Sequence, residues 1–387
     1  MRKRAASGTP SAACHSEAVI EDFDASWAAA QARDARVQTA RTLLQITRDP
    51  VTEVAFAAGF GSVRQFNATV RAVFGLTPTE LRRRARRGRA SQAGELALRL
   101  PFRAPLDAAA LLGWLAARAV PGVEEVDGDV YRRSLRLPRG PGVVELAFAS
   151  DCVRCRLLLE DLRDVTPAVQ RCRRLLDLDA DPRAVAEDLD PDALIGPLVR
   201  AAPGLRVPGH VDGAELAVRA VLGQQVSVRA ARTGAGRLVA EHGEQLARPR
   251  GSVTALFPAP GVLGALDPVR LAMPRARAKA LVGLCRALAD GELCLDAGAD
   301  RPQARRRLLA LPGVGPWTAG YVAMRALGDP DVFLVEDLGV RHALRRLGAP
   351  DDPRGARALA AAWAPWRSYA TQQLWQAPAA PAAALAA

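Results

Sequence analysis

The sequence predicts an α+β multidomain chain: a short all-α segment, a small α/β domain on an antiparallel sheet, then a larger all-α core. Three observations predict it. Apolar residues at helical spacing, punctuated by turn glycines, occupy residues 35–90. Alternating, strand-like runs fall between residues 95 and 190. Ala-rich helical text fills residues 191–376. A chain of 387 residues has room for all three.

Residues 1–34 lack periodicity and read as a disordered leader. Val37, Ala40, Leu43 and Leu44 then give one apolar helical face. Asp49-Pro50 reads as a cap and a first-turn proline for a helix bearing Val51, Val54, Ala55 and Ala58. Gly59-Phe60-Gly61 stops it, and Ser62 to Gln65 is a capping-box start for the next. Phe66, Val70 and Phe74 line that helix's buried face, Gly75 ends it, and Thr77 to Glu80 is a second box. Short helix, glycine turn and capped helix is the grammar of a helix-turn-helix. Arg64, Gln65, Asn67 and Arg71 lie off the apolar stripe, where they either face a major groove or form a solvated helix face. The arginine run from Arg82 to Arg89 reads as a helix end entering a linker, placed to track phosphates.

From Leu96 the period changes. Leu96–Leu100, Val130–Leu137, Gly142–Phe148 and Cys152–Leu159 are strand-like, with helices expected at Asp107–Arg118 and Pro167–Leu176. Beyond Asp190 helices are expected at Ala214–Leu222, Met273–Asp290 and Ala304–Ala310, with a polar turn over Gly223–Val228. Residues 377–387 are low in complexity and read as a disordered tail.

The net charge is +12, and of 53 basic residues only Lys3 and Lys279 are lysines. Such a balance suits a polyanionic partner. No apolar run reaches membrane-spanning length, and six scattered cysteines argue against a disulfide scaffold and for the cytosol. Cys152-Val-Arg-Cys155 has no second pair and reads as coincidence.

The richest stretch runs from Leu311 to Leu344. Leu311-Pro312-Gly313-Val314-Gly315 is a tight turn between helices, with Pro316 suited to the first helical position. Free amides at Gly313, Val314 and Gly315, running into a helix N-terminus, make an anion site. Behind the apolar run Val332–Val335 comes one acidic pair, Glu336-Asp337. Asp337 taken alone reads first as a helix N-cap, and together with the hairpin and the tryptophans as a catalytic carboxylate.

These motifs, with the run Trp363 to Ala370, resemble the helix-hairpin-helix DNA glycosylases with the Gly-Pro-Asp loop, in their AlkA branch, the 3-methyladenine DNA glycosylase II family. Residues 35–88 resemble the second helix-turn-helix of AraC-type regulators, and only one such motif is complete. The whole looks like the known fusion of an adaptive-response regulator to AlkA without its methyl-acceptor front, so alkyl transfer is not expected. The resemblance implies hydrolysis of the glycosidic bond of a flipped, alkylated purine in double-stranded DNA, driven by Asp337. It implies an aromatic base pocket of Trp114, Trp317, Tyr321 and Trp375, and Gln225 as the side chain that fills the gap in the duplex. It implies a monovalent cation on the carbonyls of Leu309, Leu311 and Val314, no catalytic metal, no cofactor, and a cytoplasmic, nucleoid-associated monomer. Trp317 stands where strand-nicking relatives carry lysine, so base release without nicking is expected, with Trp317 acting through its ring face more than its N–H. Leu338 follows Asp337 where some members have tyrosine. The alternative reading is a regulator of the adaptive response whose glycosylase-like region only binds DNA.

Overall fold

In this computed structural model the described residues are 50–74, 76–85, 95–296 and 298–377, together with Arg36, Thr39, Ala40, Leu43 and Leu44. The expected leader, Val37, Asp49, Gly75, the 86–94 linker and the residues after 377 lie outside them. Two units are described, divided between Gln92 and Ala93.

In the first unit, α1 (Val51–Ala57), α2 (Val63–Phe74) and α3 (Pro78–Ala85) follow the expected punctuation. Pro50 is the N-cap of α1 and not its first helical residue. Gly59 closes the turn at φ +82°, a left-handed value glycine adopts without strain. Ser62 Oγ caps α2 by accepting the Gln65 N–H at 3.2 Å. At α3 both halves of the capping box form: Glu80 N–H donates to Thr77 Oγ1 at 3.3 Å, and Thr77 N–H donates to Glu80 Oε2 at 2.8 Å. Phe66 and Val70 are fully buried, and Phe60 meets Phe66 edge-on at 5.3 Å. Arg64, Gln65, Asn67 and Arg71 all lie exposed on α2, on the side away from that core.

The second unit opens with β1 (Glu95–Pro101) and α4 (Ala108–Arg118), then β2 (Glu124–Asp127), β3 (Val130–Leu137), β4 (Gly140–Phe148) and β5 (Cys152–Leu159). They form one antiparallel sheet in the order β1-β5-β4-β3-β2, with Leu98 opposite Cys155 and Leu146 opposite Cys155 on its other side. The short β2 was not expected from sequence. Helices α5 (Val165–Leu175), α6 (Pro182–Leu189) and α7 (Gly196–Ala201) lead into the helical core.

That core contains α8 (Gly213–Leu222), α9 (Val228–His242), α10 (Pro260–Gly264), α11 (Arg275–Ala289), α12 (Arg301–Ala310), α13 (Pro316–Arg325), α14 (Leu338–Arg346), α15 (Pro353–Ala360) and α16 (Arg367–Gln376). One departure breaks the helical text. Glu244–Arg250 (β6) and Val253–Leu256 (β7) form a two-stranded hairpin around Gly251 at φ +59°. Thr254 and Ala255 donate their N–H groups to the Gly122 carbonyl, which ties the hairpin to the segment after α4. Two apolar clusters fill the core. One joins α8, α9, α11, α12 and α13; the other gathers α6, α7, α14, α15 and α16 around Trp363, which is 0% exposed. Trp366 is half-buried against Tyr369 and donates its N–H to Asp188 at 2.6 Å. No helix among the described residues is long and apolar enough to cross a membrane.

Candidate active site

A cleft of about 1060 Å³ lies between the two apolar clusters, and the expected pocket residues line it. The turn from α12 into α13 forms one lip. Gly313 sits at φ +81°, and a Cβ there would come within 2.6 Å of Ala280 on α11, so only glycine lets the hairpin lie this close. A Cβ on Gly315 would meet open space, which leaves this face of the turn clear for a ligand. Val314 is different: its side chain is 6% exposed in the core and its N–H donates to the Leu311 carbonyl at 3.1 Å. The N–H groups of Gly313 and Gly315, by contrast, have no backbone acceptor among the described residues.

Asp337 caps a helix and lines the cleft at once. It is the N-cap of α14, with Oδ1 accepting the Val340 N–H at 3.0 Å. It also faces the cleft, where Oδ1 accepts the Trp375 indole N–H at 2.9 Å and Oδ2 accepts the Trp317 indole N–H at 2.8 Å. The cap fixes the carboxylate to the rigid start of a helix, and two neutral donors from α13 and α16 fix its plane. Gly339 makes room: a Cβ there would stand 3.0 Å from Asp337 Oδ1 and 3.2 Å from the Trp375 ring. The Trp317 N–H thus holds the carboxylate while its ring face stays turned to the cleft. Glu336, the other acid of the pair, is exposed and paired with Arg357 at 2.8 Å.

The aromatic set divides in two. Trp317 and Tyr321, four residues apart on α13, stack at 5.2 Å with their planes 16° apart. Trp114 stacks on Trp375 at 5.3 Å, and Tyr321 meets Trp375 at a tilt. Trp317, Tyr321 and Trp375 stay partly exposed. Trp114 is 6% exposed, and the Arg118 guanidinium carbon lies 3.3 Å from the centre of its ring. Leu338, 62% exposed, also lines the cleft.

The polar turn between α8 and α9 forms the facing lip. Gln225 has φ +54°, uncommon for a side chain other than glycine, and its side chain is exposed at the tip. Its neighbours pin it. Gln224 donates its side-chain N–H to the Gly313 carbonyl at 2.9 Å and to Thr318 Oγ1 at 3.0 Å, and Arg277 donates to the Gln224 carbonyl at 2.6 Å. Gln224 and Arg277 were missed in the sequence, because a bond that spans 89 residues leaves no local signature. Val226 beside them is 37% exposed.

Under the pocket lies a buried charge network that the sequence did not suggest. Arg133 of β3 donates to Glu124 at 3.1 Å and to Glu215 of α8 at 2.7 Å. Arg219 donates to Glu124 at 2.9 Å and to Glu215 at 3.0 Å. Tyr131 adds a bond to Glu124 at 2.7 Å. Burial would raise the Glu124 carboxyl, but Arg219 and Arg133 outweigh it and hold it below its ordinary range. His210 is driven well below its usual value by burial, then by Arg133, Arg219 and Arg325, so it is neutral. Glu124, His210 and Glu215 are the grouping with metal-ligand spacing among the described residues. Arg219 Nη1 already sits among them, 3.4 Å from His210 Nε2, so a guanidinium occupies the place a metal ion would take.

Higher in the cleft, Arg325 donates to the Tyr321 hydroxyl and to the carbonyls of Pro208 and Gly209. Burial would raise the Tyr321 phenol, but Arg325, Arg118 and Arg219 together bring it below its ordinary value. Burial brings Arg118 down to about 10. Arg118 and Arg325 each follow a pocket aromatic by four residues, a helical-neighbour spacing that could have flagged them.

Comparison with known proteins fits this arrangement. An AlkA N-terminal domain matches residues 97–212, the HhH-GPD superfamily of base excision DNA repair proteins matches residues 218–368, and a helix-turn-helix domain matches residues 27–84. The chain is 54% identical to the probable bifunctional transcriptional activator/DNA repair enzyme AlkA of Mycobacterium tuberculosis, over 89% of this chain and 70% of that protein. It is 37% identical to DNA-3-methyladenine glycosylase 2 of Escherichia coli, over 71% of this chain and 95% of that protein. The 3-methyladenine DNA glycosylase of Archaeoglobus fulgidus shares the fold with a TM-score of 0.62 at 20% identity, covering 72% of this chain and 97% of that one. An 8-oxoguanine glycosylase/lyase of Clostridium acetobutylicum does so at 0.51 and 18%, covering 66% and 98%. With its hairpin, its indole-held aspartate and these relatives, the chain belongs to the AlkA family within the HhH-GPD superfamily of base excision DNA repair proteins.

Proposed function

We propose that the protein is a monofunctional DNA glycosylase that flips a damaged base, in the first place an alkylated purine, out of double-stranded DNA and hydrolyses its glycosidic bond. The observation that carries this reading is Asp337, fixed at the mouth of an aromatic cleft by two indole N–H groups and a helix cap. As the C1′–N bond stretches, the sugar takes on positive charge. A carboxylate oriented by neutral donors, with no guanidinium paired to it among the described residues, stabilises that charge and positions the water; the water's oxygen bonds to C1′, its proton passes to Asp337, and the base departs with the electron pair of the C1′–N bond. Trp317, Tyr321 and Trp375 offer aromatic surface to the flipped base.

The duplex would be held by the Gly313 and Gly315 amides at the N-terminus of α13, with Gln225 filling the vacated place in the stack. A monovalent cation on the carbonyls of Leu309, Leu311 and Val314 suits the turn, since the Leu311 oxygen keeps a second lone pair after accepting Val314. In the first unit, Arg64, Gln65, Asn67 and Arg71 on α2 are the candidates for major-groove contact. The description of the M. tuberculosis relative as a transcriptional activator as well as a repair enzyme keeps a regulatory role for that unit in view.

Base release from methylated duplex DNA, followed on gels before and after alkali with borohydride present, tests the reading. Released base, strand breaks only after alkali and no trapped protein–DNA adduct are the expected result. The reason is chemical: Trp317 offers no amine to the sugar, and arginine is too basic to be one. A trapped adduct would contradict the single-activity reading, and DNA binding without base release would favour a purely regulatory protein.

A further inference from the structure

The two lips of the cleft are tied to each other by one side chain. Gln224, on the turn between α8 and α9, donates its side-chain N–H groups to the Gly313 carbonyl at 2.9 Å and to Thr318 Oγ1 at 3.0 Å. Both acceptors belong to the other lip: Gly313 is in the hairpin turn, and Thr318, 2% exposed, is in the first turn of α13. An amide has two N–H donors, and both are spent on this contact. Behind it, Arg277 of α11 donates to the Gln224 backbone carbonyl at 2.6 Å. Ala280, three residues further along α11, is the neighbour against which Gly313 packs. One helix therefore backs both lips, and Gln224 clasps them at the front.

The clasp adjoins a strained point. Gln225 has φ +54°, a left-handed value that costs free energy for a residue with a Cβ and persists where the surroundings hold it. It is held on both sides. Before it stands the Gln224 clasp; after it Ser227 caps α9, with Oγ accepting the Ala230 N–H at 3.2 Å. The Gln225 side chain itself is exposed. A side chain that fills a gap in a duplex is pushed back by the stack, and a loose turn would yield to that push. A turn locked to the hairpin passes the push to the element that grips the phosphates. We infer that Gln224, backed by Arg277, is a positioning residue that fixes the Gln225 tip against the hairpin, so that opening of the base pair depends on it more than bond cleavage does. The inference rests on the glycosylase reading above and assigns it a residue for the flipping step.

The experiment measures single-turnover base release from two duplexes that differ only in the partner of one 7-methylguanine: cytosine, which pairs with it well, and thymine, which pairs with it poorly. A 2-aminopurine beside the lesion brightens as the stack opens, and thermal melting is followed in parallel. Opening costs least at a mispair, so a defect in opening weighs most on the paired duplex. Gln224→Met keeps the length of the side chain and removes the amide. It is expected to slow release from the paired duplex about tenfold and from the mispaired one less than about threefold, with a slower rise in fluorescence. Thr318→Ser keeps the hydroxyl and should keep the wild-type ratio of the two rates. If Gln224→Met does not fold, Arg277→Met, which loosens the same turn from α11, is expected to shift the ratio in the same direction. Equal slowing on both duplexes with an unchanged fluorescence rise would mean that Gln224 supports α13 and Trp317 instead of base opening; that result, or no slowing at all, overturns the inference and leaves the glycosylase reading standing. A folded wild-type protein that releases base from neither duplex, nor from methylated DNA, overturns both.

Discussion

Asp337 lines the cleft and the pair Glu124 and Glu215 sits in the network beneath it, yet they are held in opposite ways. Glu124 and Glu215 are buried and clamped between Arg133 and Arg219, so their charge is cancelled where it stands. Asp337 is partly exposed and is gripped by two indoles and a backbone amide, donors that orient a carboxylate without neutralising it. The first arrangement cross-links the sheet to α8; the second, in the function proposed above, presents an oriented carboxylate to a positive transition state. Burial and acidity alone do not separate structural from chemical carboxylates. The identity of the donors does.

The largest effect should come from breaking the clamp. Glu215→Ala would leave Arg133, 1% exposed, with one of its two carboxylate partners, and is expected to lower stability by about 3–5 kcal/mol. Thermal or urea unfolding measures this, and activity should fall only as far as folding does. If Glu215→Ala melts like wild type, the network is not a structural cross-link. The indoles come next. Trp317→Phe and Trp375→Phe keep the aromatic surface and remove one charge-assisted bond each, worth about 1.5–3 kcal/mol, so single-turnover rates should drop about tenfold or more with little change in melting temperature. Equal rates for the phenylalanine variants would mean that the rings, and not their N–H groups, matter. The smallest effect belongs to Glu336→Gln, which removes an exposed pair with Arg357 and should change the rate less than about twofold.

Much of this could be read in the sequence, and the remainder could not for identifiable reasons. Capping boxes, the hairpin glycines and the acidic pair are local signals, carried by residues within four positions of one another. Gln225 at the turn and the four aromatics came from family likeness, and the structure brings all of them to one cleft. The charge network was illegible because its members come from β2, β3 and α8; the bond from Arg133 to Glu215 spans 82 residues. Arginine is also so frequent in this chain that no single one stands out. The β6–β7 hairpin was missed because Glu244–Arg250 holds only Leu246 and Ala247 as apolar side chains beside Pro249, so no strand pattern precedes the turn signal Gly251-Ser252. The indole N–H bonds to Asp337 depend on side-chain orientation, which sequence pattern does not carry.

The claim that one carboxylate does the chemistry is tested most directly by Asp337→Asn. The asparagine keeps the size and a capping oxygen, so folding and binding to DNA containing an abasic-site analogue should stay near wild type. Single-turnover base release from methylated duplex DNA should fall by at least about a thousandfold, in line with losing the principal electrostatic stabiliser of a transition state. Near-normal release by the folded variant would contradict the account.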